Sequence, residues 1–346
     1  MSSNDTQPKL DAARILVIRL GAMGDVIHAL PAVSALARAL PQAQIDWIIE
    51  PRWAEVLEGN PYLNAVLPLP LNAWRKEPFK AGSWRAAREL IAKLRATRYD
   101  LAVDLQGLIK SASLARVTGC QRRVGFETSA LREPFAARLY TEQVAVSGEH
   151  VVDKNLSAVR NLIGRADGAA EFPLPEGEYS ASLPEGDFVL TTPVAGWGSK
   201  QWPSRHYAQL AGLIQGGMGM PLVLDCAPND VSYAREIART APDGSVVVHT
   251  STIQQLIGAT RRARAVVGVD SGPLHLAAAL NKSGVAVFGP TDPARNGPYG
   301  GTLTVLRATT ASTTYRRDEN VSCAMSSIGA AQVYEELCRR ISAVRG

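Results

Sequence analysis

Three short stretches combine residue types and spacings suited to work on a phosphorylated ligand. The first is Gly21-Ala-Met-Gly24-Asp25, directly after the apolar run Arg14–Leu20. Its two glycines let a backbone approach a ligand closely. A carboxylate at a helix start is held as an anion by the helix dipole, worth about 0.3–1 kcal/mol. Asp25 is therefore either an ordinary first-turn residue or a base facing a cleft. The second stretch is Val266-Val-Gly-Val-Asp270-Ser-Gly-Pro-Leu-His275. A buried strand ends at Asp270, Ser271-Gly272 makes a tight loop, and Pro273 suits the first position of a helix over Leu274–Leu280. The free backbone N–H groups of such a helix start form a ready site for a diphosphate. His275 is either a satisfied structural histidine or a further donor to that site. The third stretch, Gly196-Trp-Gly-Ser-Lys200-Gln-Trp-Pro203, sets a lysine beside glycines at a strand–helix junction. Lys200 there either neutralises a phosphate, through a charge-assisted bond worth about 1.5–3 kcal/mol, or is a solvated loop lysine. A fourth stretch, Phe288-Gly-Pro-Thr-Asp-Pro293, reads as a strand followed by a proline-braced loop.

The elements that must carry these stretches alternate short apolar β-rich runs with longer amphipathic ones, the pattern of βαβ units and a parallel sheet. A first series predicts strands at 14–20, 44–50, 63–69, 100–105 and 122–126, with helices between them. Pro31 is expected to divide the helical stretch that follows Gly24, because proline suits a first turn better than an interior. A second series predicts strands at 188–194, 221–225, 245–249, 265–269 and 284–288. Helices are expected over 83–97, Ser204–Ile214 and Ala330–Val344. Residues 164–187, rich in Gly, Pro, Ala and acidic residues, read as a linker. Two Rossmann-like halves would place a ligand cleft between them, at the carboxyl ends of the strands.

At 346 residues the chain exceeds what one hydrophobic core usually spans, and 46% apolar with 20% charged residues is globular composition. The start, MSSNDTQPKLDAAR, lacks the apolar core of a signal peptide, and no uncharged apolar run is long enough to span a bilayer. The four cysteines are far apart without CxxC spacing, so reduced thiols in a cytoplasm are expected. The reading is a soluble, intracellular, two-domain protein. Its net charge of +5 is unevenly placed: residues 72–132 hold 13 Lys and Arg against 5 Asp and Glu. Among them are Arg75, Lys76, Lys80, Arg85, Arg88, Lys110 and Arg132. Such a cluster draws an anionic partner, although the cations of the 83–97 helix are equally a solvated face. Nucleic acid is not the expected partner, because no basic run interleaves with stacking aromatics. There is no Walker A sequence, so an ATPase of that type is not expected, and with no HxxxH or HxH pair and no Asp-x-Asp no metal site is expected either. A nucleoside diphosphate leaving here would be stabilised by helix dipole, lysine and backbone donors instead.

Together, GAMGDVIHALPA (21–32), AVDLQGLIKSA (102–112), GSKQWP (198–203), GVDSGPLHLAAAL (268–280) and VFGPTDP (287–293) resemble the bacterial lipopolysaccharide heptosyltransferases, glycosyltransferase family 9. The resemblance runs in order from about residue 14 to the end, including Cys323-Ala-Met. WRKEPF (74–79), QGLIKSA (106–112) and LREPFA (131–136) are most similar to the branch that adds the first heptose to Kdo-lipid A.

The resemblance implies an α/β GT-B fold of two Rossmann-like domains facing each other across a cleft. It implies an acceptor domain over 14–170 behind a polar tail (1–13), a linker (171–187), a donor domain over 188–329, and a C-terminal helix (330–346) packing back across both. It further implies inverting, metal-independent and cofactor-free transfer from ADP-L-glycero-β-D-manno-heptose to Kdo-lipid A, at the cytoplasmic face of the inner membrane. Asp25 matches the general base. Gly24, Lys200, Asp230, Asp270, Ser271, Gly272 and His275 match donor-binding positions, and Arg75, Lys76 and Arg132 match the region that meets the acidic acceptor. One departure is Ala195-Gly196, where the first-heptose branch commonly has two threonines; the loop there is closer to that of heptosyltransferase II. The alternatives are therefore a second-heptose or other core glycosyltransferase, a nucleotide-dependent dehydrogenase on paired Rossmann halves, and a non-catalytic ADP-sugar sensor.

Overall fold

The computed structural model describes residues 12–76, 81–164, 168–314 and 318–343. Most of the 1–13 tail and Lys80 lie outside these residues, as does part of the 74–79 segment. Contacts divide the chain into two compact units, Met1–Leu174 and Pro175–Gly346.

In the first unit the strands are β1 (Arg14–Ile18), β2 (Gln44–Ile49), β3 (Ala65–Pro68), β4 (Leu101–Asp104), β5 (Arg122–Phe126) and β6 (Glu142–Val144). The helices are α1 (Met23–Ala39), α2 (Leu71–Lys76), α3 (Ala81–Thr97), α4 (Ile109–Val117) and α5 (Val151–Ile163). The described strands form one parallel sheet in the order β3-β2-β1-β4-β5-β6. Ile15, Leu16, Val17 and Ile18 are all fully buried, because a parallel strand covered on both faces needs a continuous apolar run.

The second unit repeats the plan with β7 (Val189–Thr192), β8 (Leu222–Cys226), β9 (Val246–Thr250), β10 (Ala265–Val269), β11 (Gly284–Phe288) and β12 (Leu303–Arg307). Its helices are α6 (Ser204–Met218), α7 (Val231–Thr240), α8 (Ile253–Arg262), α9 (Gly272–Ala279), α10 (Pro293–Asn296), α11 (Cys323–Ser327) and α12 (Ala330–Ala343). The sheet is again parallel, in the order β12-β11-β10-β7-β8-β9. Its core gathers Val189, Leu224, Val267 and Val287 from the strands with Trp202, Tyr207 and Leu337. The Trp202 indole N–H donates to the Ile328 carbonyl at 2.8 Å, tying the start of α6 to the turn before α12. The last helix packs on α6, β11 and β12.

Two expectations need correction. Pro31 does not divide its helix: α1 runs unbroken from Met23 to Ala39 with Pro31 buried inside. Nearly every α1 residue up to Leu36 is buried, against α5 among others, and this packing outweighs the backbone hydrogen bond that proline cannot make. The edge strands β6 and β12 were also not expected, since neither carries a continuous apolar run.

Each strand order reverses once, between β1 and β4 and between β7 and β10. At such a switch point neighbouring loops leave in opposite directions and open a crevice outside the carboxyl ends of the strands.

Candidate active site

In the second unit, the switch point gathers residues from three loops. Lys200 closes a 3-10 turn (Gly198–Lys200) after β7, Asp270 follows β10 and Thr291 follows β11. Lys200 Nζ lies 2.5 Å from Asp270 Oδ2 and 4.1 Å from the centre of the Trp197 ring. Thr291 donates its hydroxyl to the same carboxylate oxygen at 2.7 Å, while His275 Nε2 stands 3.5 Å from Asp270 Oδ1. Burial alone would push the Asp270 carboxyl up, but His275 and Lys200 outweigh it and hold the group well below the usual carboxylate range. Ser271 occupies the N-cap position of α9 without a side-chain capping bond and Gly272 is the first residue of the helix, with Pro273 in the first turn. The Ser271 hydroxyl oxygen is buried with no hydrogen-bond partner among the described residues, and so is that of Ser199 beside Lys200. Unpaired buried polar atoms at a helix start need a ligand or water to satisfy them. Asp230 ends a 3-10 turn after β8 at the residue before α7, half-buried at the same end of the sheet, with no side-chain capping bond. Thr291 is the member that sequence reasoning missed; it stood in plain view in the loop after Phe288.

The first unit builds its counterpart at β1 and β4. Gly24 is buried in the first turn of α1, and Asp25 follows it. Asp25 Oδ2 accepts the Ala22 backbone N–H at 3.1 Å and Asp25 Oδ1 lies 2.7 Å from Arg19 Nη2. Gly21 has a φ of 147°, and a Cβ there would stand 2.7 Å from the Trp53 indole, so the loop needs glycine to pass beneath that ring. Arg75 and Lys76 are exposed at the end of α2, and Arg132 is exposed in the loop after β5. Sequence reasoning named neither Arg19 nor Trp53. Among the described residues, no group of three or more His, Cys, Asp or Glu side chains is disposed to hold a metal.

A family model described as glycosyltransferase family 9 (heptosyltransferase) matches residues 87–324. The chain belongs to that family. Within family 9, lipopolysaccharide heptosyltransferase 1 of Pseudomonas aeruginosa is 32% identical over 301 residues, covering 83% of this chain and 81% of that protein. Lipopolysaccharide heptosyltransferase 1 of Escherichia coli strain K12 is 30% identical over 307 residues, 85% of this chain and 93% of its own. The solved structure of E. coli heptosyltransferase WaaC with ADP superposes with a TM-score of 0.80 at 27% identity, over 94% of this chain and 99% of that one. The two Rossmann-like units of this family 9 chain are those of the GT-B fold, as expected.

Proposed function

We propose that this family 9 member is a heptosyltransferase I, an inverting glycosyltransferase that moves L-glycero-D-manno-heptose from ADP-heptose to the Kdo-lipid A inner core of lipopolysaccharide. The observation that carries the reading is the Lys200–Asp270–His275 array beside the start of α9, on a chain 30–32% identical to proteins of that name. In this reading the donor diphosphate lies on the first N–H groups of α9, with Ser271, Gly272 and His275 around it. Lys200 keeps donor capacity beyond its bond to Asp270, and Asp230 serves the ribose. Asp25 accepts the proton of an acceptor hydroxyl as its oxygen attacks the anomeric carbon. The bond from that carbon to the diphosphate oxygen breaks, and ADP leaves with the electron pair. Single displacement inverts the anomeric centre. Lys200 and the helix N–H groups neutralise the departing charge, so the reading calls on no metal or cofactor. Arg75, Lys76 and Arg132 meet the acidic acceptor.

The acceptor is a lipid, which puts the enzyme to work as a peripheral protein at the cytoplasmic face of the inner membrane. Among the described residues, no helix is long and apolar enough to cross a membrane. Ala195-Gly196 supports the second reading, a heptosyltransferase II or another core transferase of the family. The test is ADP release by purified protein with ADP-heptose and deacylated Kdo-lipid A, beside an ADP-glucose control. Release that needs both heptose donor and acceptor is the expected result. Binding of ADP-heptose without transfer would move the search to a later core acceptor, and no binding would remove the heptose reading.

A further inference from the structure

Arg19 is the first residue past the end of β1, and it is buried. Its guanidinium serves two acceptors at once: Nη1 donates to the Leu105 carbonyl, and Nη2 stands 2.7 Å from Asp25 Oδ1. The other carboxylate oxygen of Asp25 takes the Ala22 N–H. With a fixed donor on each oxygen, the carboxylate cannot swing without losing one of them. The Asp25 side chain nevertheless remains 37% exposed, which leaves lone pairs open to a substrate hydroxyl.

The anchor behind Arg19 is the Asp-Leu-Gln-Gly loop after β4, a motif that the proposed reaction leaves without a task. Leu105 donates its N–H to the Ile18 carbonyl at 3.2 Å, and Gln106 Oε1 accepts the Leu20 N–H at 3.0 Å. The loop is itself fixed from below. Buried Asp104 accepts the N–H groups of Gln106 and Gly107 at 2.8 and 3.2 Å through Oδ1 and the Tyr140 hydroxyl at 2.7 Å through Oδ2. A continuous path of hydrogen bonds thus runs from Tyr140 through Asp104 and the loop backbone to Arg19 and Asp25.

We infer that Arg19 is a positioning residue for the Asp25 carboxylate, with the Asp104–Gly107 loop as its anchor. The inference rests on the reading of Asp25 as the base. A planar guanidinium can hold a carbonyl and a carboxylate together, whereas a lysine ammonium would reach one of them well.

The experiment is a kinetic cycle on the full-length enzyme with Arg19→Gln, Arg19→Lys, Asp25→Asn and Arg19→Gln/Asp25→Asn, each checked for unchanged ADP binding. Misplacing a reacting group by about 1 Å costs up to ~100-fold. Arg19→Gln is therefore expected to lower kcat about 10- to 100-fold with KM unchanged for donor and acceptor, and Arg19→Lys, whose ammonium can still reach the Asp25 carboxylate but not hold the Leu105 carbonyl as well, to recover only part of that loss. In the Asp25→Asn background, the Arg19→Gln change should cost nothing further in residual turnover. Gln106→Ala, which frees Leu20 and leaves Arg19 in place, is a milder probe should Arg19→Gln fail to fold; it should lower kcat a few-fold at constant KM. A loss that persists in the Asp25→Asn background, a loss expressed in KM, or a lysine variant no better than glutamine overturns the inference while Asp25 stands as base. Wild-type kcat for Asp25→Asn removes the base reading itself, and the inference with it.

Discussion

Asp270 holds its place through chemistry that a pH titration can read. Lys200, Thr291 and His275 converge on its two oxygens, and the carboxyl is held well below the usual carboxylate range although it is buried. A carboxyl depressed in the folded state adds stability that is fully present above its unfolded value, near about pH 4. That stability is lost as pH falls from there towards the folded value, because the unfolded chain then takes up a proton that the folded carboxylate still refuses. Urea unfolding should therefore show the wild type losing stability below about pH 4. Asp270→Asn should have a flatter acid limb, and at pH 7 it should cost about 3 kcal/mol because Lys200 is left without its buried partner. Equal acid slopes for the two proteins would show that the Asp270 cluster is not the source. The residues of this cluster were legible in sequence where one short motif contains them: Asp270, Ser271, Gly272 and His275 lie within six consecutive positions. Arg19 was not legible. It reads as the tail of an apolar strand, and the carbonyl it holds belongs to a residue 86 positions further on.

Among the elements, the placement of the Gly198–Lys200 turn depends on a single missing side chain. Ser199 donates its N–H to the Asp318 carbonyl at 3.0 Å, which seats the turn against the segment before α11. A Cβ at position 198 would lie 1.8 Å from the Glu319 carbonyl oxygen. Backbone meets backbone there, so Gly198→Ala must push the turn outward and carry Lys200 away from Asp270. The expected outcome is an ADP-heptose KM raised about tenfold or more, with thermal stability lowered as well because Asp270 loses its buried Lys200 partner; an unchanged KM would show that Lys200 does not hold the donor. The sequence placed this turn correctly because it lies between a strand that opens on a buried apolar pair and a helix start. Sequence legibility failed at the sheet edges for the opposite reason. β6 is Glu-Gln-Val with one buried residue, and β12 is Leu-Thr-Val-Leu-Arg with its first residue buried, so neither shows the continuous apolar run that marked the central strands. Pro31 failed differently, since a local rule about proline gave way to packing along the whole of α1.

For the whole molecule, the telling feature is that part of the charge excess over 72–132 lies beside exposed apolar side chains at the carboxyl end of one sheet. Among the described residues of the first unit, the exposed large apolar side chains are Trp84, Ile109 and Phe135. Trp84 is in the first turn of α3, which runs back towards the start of β4; Ile109 opens α4 just after β4; Phe135 lies in the 3-10 turn after β5. All three therefore sit towards the carboxyl end of the sheet, as does Asp25 after β1. Glu133 Oε2 accepts the Ile109 N–H at 2.7 Å, so the loops bearing Ile109 and Phe135 adjoin. Exposed Arg75, Lys76, Lys110, Arg132 and Arg138 lie in the same loops and helix ends. Apolar side chains ringed by cations are what an interfacial protein presents to an anionic bilayer, and each cation close to such a surface adds about 1 kcal/mol. On the proposed reading of a lipid acceptor, five such cations would contribute about 5 kcal/mol of attraction to an anionic surface at low salt. Sedimentation with phosphatidylglycerol–phosphatidylethanolamine vesicles should therefore capture the protein, and capture should fade as salt shortens the screening length. Ile109→Ser/Phe135→Ser should weaken capture while leaving turnover of deacylated acceptor unchanged, because neither side chain carries a group that the proposed reaction uses. Equal capture by neutral phosphatidylcholine vesicles would refute the electrostatic account. Capture unaffected by the double substitution would confine membrane contact to the cations.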